Sequence, residues 1–202
     1  MRRCLSILFA VLATITVALS ADLAKHMPDR SPVLDGYNDI DSVRLAIDAR
    51  GAAGIEGIWR LAGSQTLVTI EPATHPELSG AGFDALQIVI ISSPRKSMRP
   101  GTVLGYAVPT ARAGYWEAEI YTSKVRSLLQ SHRRFTLHAA DDDTRLSMTP
   151  VKSSLRFNLR HSLRFLFRGS VSVGNHTHEE GFDGFIKEYP TVDGHPSRPI
   201  YL

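Results

Sequence analysis

Short apolar or alternating runs, separated by turn residues, fill the chain from residue 56 to residue 189. Runs of this length with a period of two residues are typical of β-strands. The pattern predicts strands at Glu56–Leu61, Thr66–Glu71, Ala85–Ser92, Gly101–Val108, Gly114–Tyr121, Arg133–Ala139, Thr144–Val151, Ser153–Asn158 and Gly184–Tyr189. Because hairpin-length links join several of them, we expect an all-β fold with minor α, an antiparallel up-and-down β-barrel of about eight or nine strands.

A short helix is predicted before the first strand. Val43, Ile47 and the alanines between and after them form an approximate helical stripe. Asp39 or Asp41 is suited to the N-cap position, and Gly51 is typical of a helix end. The helix therefore leads directly into the first strand.

The first twenty residues have the features of a secretory signal peptide. Two arginines follow the initial methionine, and residues 4–19 form an apolar run. Ala18 and Ser20 place small residues at the −3 and −1 positions, which predicts cleavage before Ala21. We therefore expect a secreted or periplasmic protein. Cys4 is the only cysteine, so the processed chain has no disulfide.

The processed chain is predicted to be a linker followed by one domain. Residues 21–38 contain Pro28 and Pro32, which disfavour a helix and predict an extended linker. Residues 39–202 have the length and composition of a single globular domain.

Net charge gives little reason to expect a nucleic-acid partner. The formal charge of the whole chain is +3, and the predicted signal peptide contributes two of these positive charges. The distribution is uneven, however: residues 122–170 contain ten Lys and Arg but three Asp. This asymmetry indicates a basic surface rather than a basic protein.

Gly57 and Trp59 are separated by one residue in the first predicted strand. Side chains two residues apart lie on the same side of a strand, so the glycine leaves room for the indole or for a crossing backbone. A tryptophan at this position can fill the end of a small barrel, whose interior accommodates side chains or one small ligand. We expect Trp59 to be buried and to contribute to a ligand site.

This Gly-x-Trp, with the helix before it and the antiparallel runs after it, resembles the lipocalin-like (calycin) barrels. The Gly-Ile-Trp at residues 57–59 also resembles the start of small secreted bacterial proteins of unknown function. The resemblance covers roughly residues 40–190 in architecture, and Gly57 and Trp59 in motif. It implies a barrel that carries a small apolar or amphipathic ligand.

One strand separates two kinds of face. Trp116, Ala118 and Ile120 form an apolar face, and the opposite face consists of four polar or aromatic residues. These are Tyr115, Glu117, Glu119 and Tyr121. Two carboxylates on one strand face have a spacing compatible with glycoside hydrolysis, and flanking tyrosines suit a sugar or another polar ligand. The same pattern is also that of a solvated strand face.

A basic segment follows the seventh predicted strand. Arg156, Arg160, Arg164 and Arg168 recur every four residues, a spacing that gives one common face in a helix or in a strand. We favour a short helix over Leu159–Phe167, and the spacing leaves a strand open. This face is a candidate for binding an anionic membrane or glycan surface. The alternative is a solvent-exposed basic face on a segment whose apolar stripe packs in the core.

No catalytic, nucleotide or metal motif is recognisable, and no cofactor is implied. His176 and His178 are close enough for a metal in an extended segment, but no cysteine supports such a site, and we interpret them as part of a polar loop. Three functions follow. The first is a secreted non-enzymatic binding module for a small apolar or amphipathic ligand. The alternatives are an envelope-associated interaction protein that uses the arginine face, and a hydrolase that uses Glu117 and Glu119.

Overall fold

The computed structural model describes residues 23–79, 84–95, 98–125, 128–140, 143–151 and 183–191. Within this part of the chain, eight antiparallel strands close into a barrel in sequence order, β1 pairing with β8. The strands are β1 Gly57–Leu61, β2 Leu67–Pro72, β3 Leu86–Ser92, β4 Val103–Pro109, β5 Tyr115–Val125, β6 Leu128–Ala139, β7 Arg145–Pro150 and β8 Gly184–Tyr189. Two helices, α1 Ile40–Arg50 and α2 Pro76–Ser79, and a helical turn at residues 23–26 complete the described structure.

The predicted all-β barrel is confirmed, and eight of the nine predicted strands correspond to observed ones. β5 and β6 are much longer than predicted, because their ladder continues to Val125 and Leu128, beyond the strands that flank them. The predicted strand Ser153–Asn158 and the predicted helix over Leu159–Phe167 lie outside the described residues.

Cross-strand pairing identifies the inner wall of the barrel. Trp59 pairs with Val68, and the same face continues through Ile88, Ala118 and Phe135. These residues are all buried. The opposite face carries Ile58, which packs beneath α1. An eight-stranded barrel has no room for a helix inside, so the face that contacts α1 is the outer wall.

Helix α1 begins and ends as its sequence predicts. The Asp39 carboxylate accepts hydrogen bonds from the N–H groups of Asp41 and Ser42, and Gly51 follows the last turn with φ +77°. Val43 and Ile47 are buried against Ile58 and Ile91 of the outer wall.

The apolar stripe of α1 is narrower than predicted. The alanines at positions 46 and 49 are exposed to solvent. A straight helix on the convex outer wall of a barrel touches it along a narrow line, so only Val43 and Ile47 are buried.

A polar network lies between α1 and the outer wall. The buried carboxylate of Glu71 accepts hydrogen bonds from the Tyr37 hydroxyl and, at 2.9 Å, from Gln87 Nε2. Arg50 lies between two carboxylates, with Nε 3.3 Å from Glu56 and Nη2 4.0 Å from Glu71. Burial and the hydrogen bond to Glu71 raise the pKa of Tyr37 far above its usual value, so its hydroxyl stays protonated as the donor. These contacts bind the start and end of α1 to the barrel.

The segment predicted as a linker is attached to the barrel. Leu23 and Met27 are buried in the main core cluster, and Ser31 is buried as well. The backbone beyond Pro28 is non-helical, as the prolines predict, and forms isolated β-bridges at Arg30 and Val33. The predicted extended conformation is therefore found only from Pro28 onward, because residues 23–26 form a helical turn, and the sequence contained no sign of the attachment.

Gly57 permits a close crossing of two strands. Its φ is +137°, and a Cβ at this position would collide with the carbonyl oxygen of Tyr189 in β8. The register between β1 and β8 shifts at the next peptide, between Ile58 and Trp59. The glycine therefore makes room for a crossing backbone rather than for the indole.

Candidate functional site

Trp59 is fully buried on the inner wall of β1. Its indole N–H donates a 2.9 Å hydrogen bond to the carbonyl oxygen of Ile55, in the buried turn that precedes the strand. Lys187 of β8 pairs with Trp59 across the ladder, and its ammonium lies 5.2 Å from the centroid of the indole ring. The predicted burial of Trp59 is confirmed, and its polar atom has a partner within the fold.

The inward side chains around Trp59 that the structure describes are closely packed. Inward residues of six strands have no accessible surface or nearly none. Examples are Trp59 (0%), Val68 (0%), Ile88 (0%), Ala118 (0%), Phe135 (1%) and Leu146 (0%). A lumen with free space would leave accessible area on at least some of these residues, and small ones such as Ala118 would show it first. The interior around Trp59 is thus a packed core in this conformation.

The polar face predicted on the fifth strand belongs to the outer wall. Ala118 and Ile120 pair with inward residues of β4, so Tyr115, Glu117 and Glu119, which alternate with them, point away from the lumen. The structure therefore does not bring Trp59 together with Tyr115, Glu117, Glu119 and Tyr121. The sequence identified Trp59 and the polar face of β5, but only the structure shows that they lie on opposite sides of the sheet.

Glu119 is a buried and fully engaged carboxylate. One oxygen lies 2.9 Å from Arg134 Nε, and the other lies 2.9 Å from His132 Nδ1. Arg134 stands directly opposite Glu119 in the β5–β6 ladder, which explains the contact. Both oxygens thus have protein partners, and this arrangement stabilises the sheet rather than leaving a free carboxylate for catalysis.

Tyr121 is likewise part of the packing. Its side chain is fully buried, and its hydroxyl donates a 2.5 Å hydrogen bond to the carbonyl oxygen of Pro28. The ring meets His132 edge-on at 6.3 Å between centroids. Burial, followed by the nearby Tyr106 and Asp29, raises the pKa of Tyr121 well above its usual value. Tyr121 is consequently a neutral donor that anchors the N-terminal segment.

The other half of the predicted face is partly exposed to solvent. Tyr115 is stacked against His138 with 4.2 Å between ring centroids, and the guanidinium of Arg112 lies 4.0 Å from the Tyr115 centroid. Glu117 is the next outward residue, and its enclosed Oε2 has no hydrogen-bond partner among the described residues. Thr136 stands opposite Glu117 in the ladder. We call Arg112, Tyr115, Glu117, Thr136 and His138 the outer patch.

Sequence reasoning missed three residues around these sites, namely Arg112, His138 and Lys187. The signal for His138 was present, since it alternates in phase with Arg134 on a predicted strand. Its partner could not be chosen without the β5–β6 register. Arg112 lies in a turn, where the sequence pattern gives no direction for a side chain. Lys187 could have been found from its alternation with Phe185 in the last strand.

Several predicted sites cannot be placed. The arginine face, Arg156, Arg160, Arg164 and Arg168, lies outside the described residues, as do His176 and His178. Among the residues that are described, no group of three or more His, Cys, Asp or Glu side chains has metal-binding geometry. In the same part of the chain, no helix combines the length and the hydropathy of a membrane span.

Comparison with known proteins found no matching family model, no matching curated protein and no matching solved structure. The resemblance to lipocalin-like barrels therefore rests on the closed eight-stranded architecture and on Gly57 and Trp59.

Proposed function

We propose that this protein is an exported, non-enzymatic binding module that recognises a protein partner through the outer patch. The sequence features of residues 1–20 support export. The resemblance to ligand-carrying barrels favours a small apolar or amphipathic ligand, but Trp59 and the inward residues around it have almost no accessible surface for such a ligand. The packed lumen and the open outer wall together support a surface site.

The observation that carries the proposal is the stack of Arg112, Tyr115 and His138 beside an unpaired oxygen of Glu117. The contacts of the Tyr115 ring with His138 and Arg112 restrict it before any partner arrives, so less rotamer entropy is left to lose on binding. Tyrosine and arginine are enriched in protein interfaces and among their energetically dominant residues.

The unpaired oxygen of Glu117 gives the patch a chemical preference. An enclosed carboxylate oxygen without a donor is costly, since it has lost water without gaining a hydrogen bond. A rotation of the Glu117 side chain would bring this oxygen to the surface, where a lysine, an arginine or a backbone N–H of a partner would supply that donor. The guanidinium of Arg112 provides the complementary charge at the rim. We therefore expect a partner surface that combines a hydrogen-bond donor for Glu117 with a carboxylate for Arg112.

Photo-crosslinking tests this function. A benzophenone amino acid at Ala113, an exposed residue beside the patch, should give a discrete adduct in the secreted fraction of the source cells. The adduct should disappear in an Arg112→Ala, Glu117→Ala background. The matched control places the same group at the exposed Gln65, in the turn between β1 and β2. Equal adducts at both positions, or none at Ala113, would refute the outer patch as a binding surface.

A further inference from the structure

β5 and β6 extend beyond the barrel as a two-stranded arm. β5 pairs with β4 only as far as Ile120, and β6 pairs with β7 only from Phe135 onward. Residues 121–125 and 128–132, which we call the arm, pair with each other beyond these neighbours. The arm must therefore be held in place by something other than the barrel ladder.

Residues 28–34, which we call the strap, hold the arm to the start of β4. On one side, Leu34 N–H donates to Gly101 O at 2.9 Å, and Val103 N–H donates to Pro32 O at 3.0 Å. On the other side, Ser31 N–H donates to Leu129 O at 2.9 Å. The strap thus lies between the start of β4 and the β6 strand of the arm, which are not paired with each other.

Side chains complete this attachment. Ser31 Oγ donates a 2.5 Å hydrogen bond to Val103 O, and the Tyr121 hydroxyl of the arm reaches Pro28 O. Ser31 and Leu129 are buried, with 4% and 1% of their surface exposed. The groove beneath the strap therefore combines backbone groups that need partners with an apolar wall.

The strap is weakly bound compared with the strands around it. Pro28 and Pro32 have no N–H group, so they cannot donate to either edge. Among the described residues, the strap forms one bridge to each side, whereas β2 and β3 share six paired positions. Segments held by few backbone hydrogen bonds open with less free energy than the core of a sheet.

The arm has a structural irregularity at which it can bend. Thr122 and Ser131 face each other but do not pair, although the positions on both sides of them do. Ser131 has φ +53°, a left-handed conformation that is uncommon for residues other than glycine. Thr122 Oγ1 donates to the carbonyl oxygen of Ser131 at 3.1 Å and so stabilises this local break.

We propose that the strap is autoinhibitory: it occupies a groove that binds an extended peptide of a partner protein. When the strap leaves, the backbone edges at residues 101–103 and at Leu129 lose their partners in the strap, and an incoming strand pairs with both. Addition of an extended peptide to free strand edges is a recurrent mode of recognition. The strap itself shows which peptide fits: an extended segment with a small hydroxyl residue at the position of Ser31. This groove is separate from the outer patch and does not depend on its function.

A reversible lock tests the proposal in the full processed chain, which has no cysteine of its own. Arg30 and Gln130 are direct antiparallel bridge partners, at a separation suited to a disulfide. The Arg30→Cys, Gln130→Cys protein is compared oxidised and reduced. The probe is a fluorescent synthetic peptide of residues 23–34, with a scrambled peptide as control. We expect binding to the reduced protein, at least tenfold weaker binding to the oxidised protein, and no binding of the scrambled peptide.

A second variant makes the test independent of disulfide formation. Ser31→Ala removes the hydrogen bond from Ser31 Oγ to Val103 O and leaves the groove itself unchanged. A hydrogen bond of this kind stabilises the closed position of the strap. Its loss should make the open state more populated and raise the apparent affinity for the peptide about two- to tenfold. Equal binding to the locked and reduced proteins would place the peptide elsewhere. Failure of both the reduced protein and Ser31→Ala to bind would refute the groove.

Discussion

The ammonium of Lys187 lies over the indole ring of Trp59, with Nζ 5.2 Å from the ring centroid. The two residues are cross-strand partners of the first and last strands, so their contact is made where the barrel closes. A cation over an indole face is attracted by the ring quadrupole, and the attraction strengthens as water is excluded. This contact therefore joins β1 to β8 and also packs inside the barrel.

Trp59→Ala should strongly destabilise the protein. The side chain is fully buried and its N–H is bonded to Ile55, so truncation leaves a large cavity and an unpaired carbonyl oxygen. We expect a loss of about 3–5 kcal/mol in the free energy of unfolding, measured by urea denaturation. Thr149→Ala, on the exposed outer wall of β7, is the control and should change stability by less than about 0.5 kcal/mol. A loss below about 1 kcal/mol for Trp59→Ala would contradict the packed interior.

Lys187 should make the stability depend on pH in the alkaline range. Burial lowers the pKa of Lys187 below its usual value of 10.5. The folded protein then binds fewer protons at this site than the unfolded chain, so this residue's contribution to stability rises as pH increases toward 10.5. Lys187→Met removes the contribution. The free energy of unfolding of the wild type minus that of the variant should therefore increase with pH.

Comparison with Lys187→Met also removes the effect of the buried tyrosines. Burial raises the pKa of Tyr106 to about 12, which lowers stability above the usual tyrosine pKa in both proteins alike. Urea melts at three pH values between neutrality and 10.5 measure the difference. A difference that stays constant over this range would show that the pKa of Lys187 is the same in the folded and unfolded protein.

Gly57→Ala should destabilise the closure of the barrel. The substitution forces an alanine into φ +137° and places its Cβ against the carbonyl oxygen of Tyr189. Gly63→Ala is a matched control, because Gly63 also has a positive φ but has open space around it. We expect about 1 kcal/mol for the control and at least about twice that for Gly57→Ala, by thermal or urea melts. Similar losses would mean that the crossing of β1 and β8 is looser than described.

The exported protein should begin at or near Ala21. Two arginines, the apolar run of residues 4–19 and the small residues Ala18 and Ser20 motivate this prediction. Intact-mass analysis of protein from the extracellular or periplasmic fraction measures it directly. A species that retains residues 1–20 would contradict cleavage.

The arginine face should bind anionic surfaces in a salt-dependent way. Arg156, Arg160, Arg164 and Arg168 share one face in a helix or a strand. Exposed charges are screened beyond about 10 Å at 0.1 M salt, so binding should weaken steeply as salt increases. Co-sedimentation with anionic phospholipid vesicles compares the wild type with an Arg160→Glu, Arg164→Glu variant. Equal sedimentation of both proteins, or of neither at low salt, would eliminate this alternative function.

The sequence by itself determined the strands, the helix and the burial of Trp59. These features depend on local spacing: a period of two along β5, a carboxylate at Asp39 before a helical stripe, and Gly51 at the end of that stripe. Even the alternation of Tyr115, Glu117, Glu119 and Tyr121 was correct as a statement about one face of one strand.

Only the tertiary structure decided which residues lie against each face of a strand. Alternation is the same for either side of a sheet, so register and closure were needed to assign Trp59 to the inside and Glu117 to the outside. Contacts between residues far apart in sequence, such as Glu119 with Arg134 or Ser31 with Leu129, depend on strand pairing and chain direction in space. Local patterns contain no information on such partners, because each pattern is satisfied equally by many neighbours.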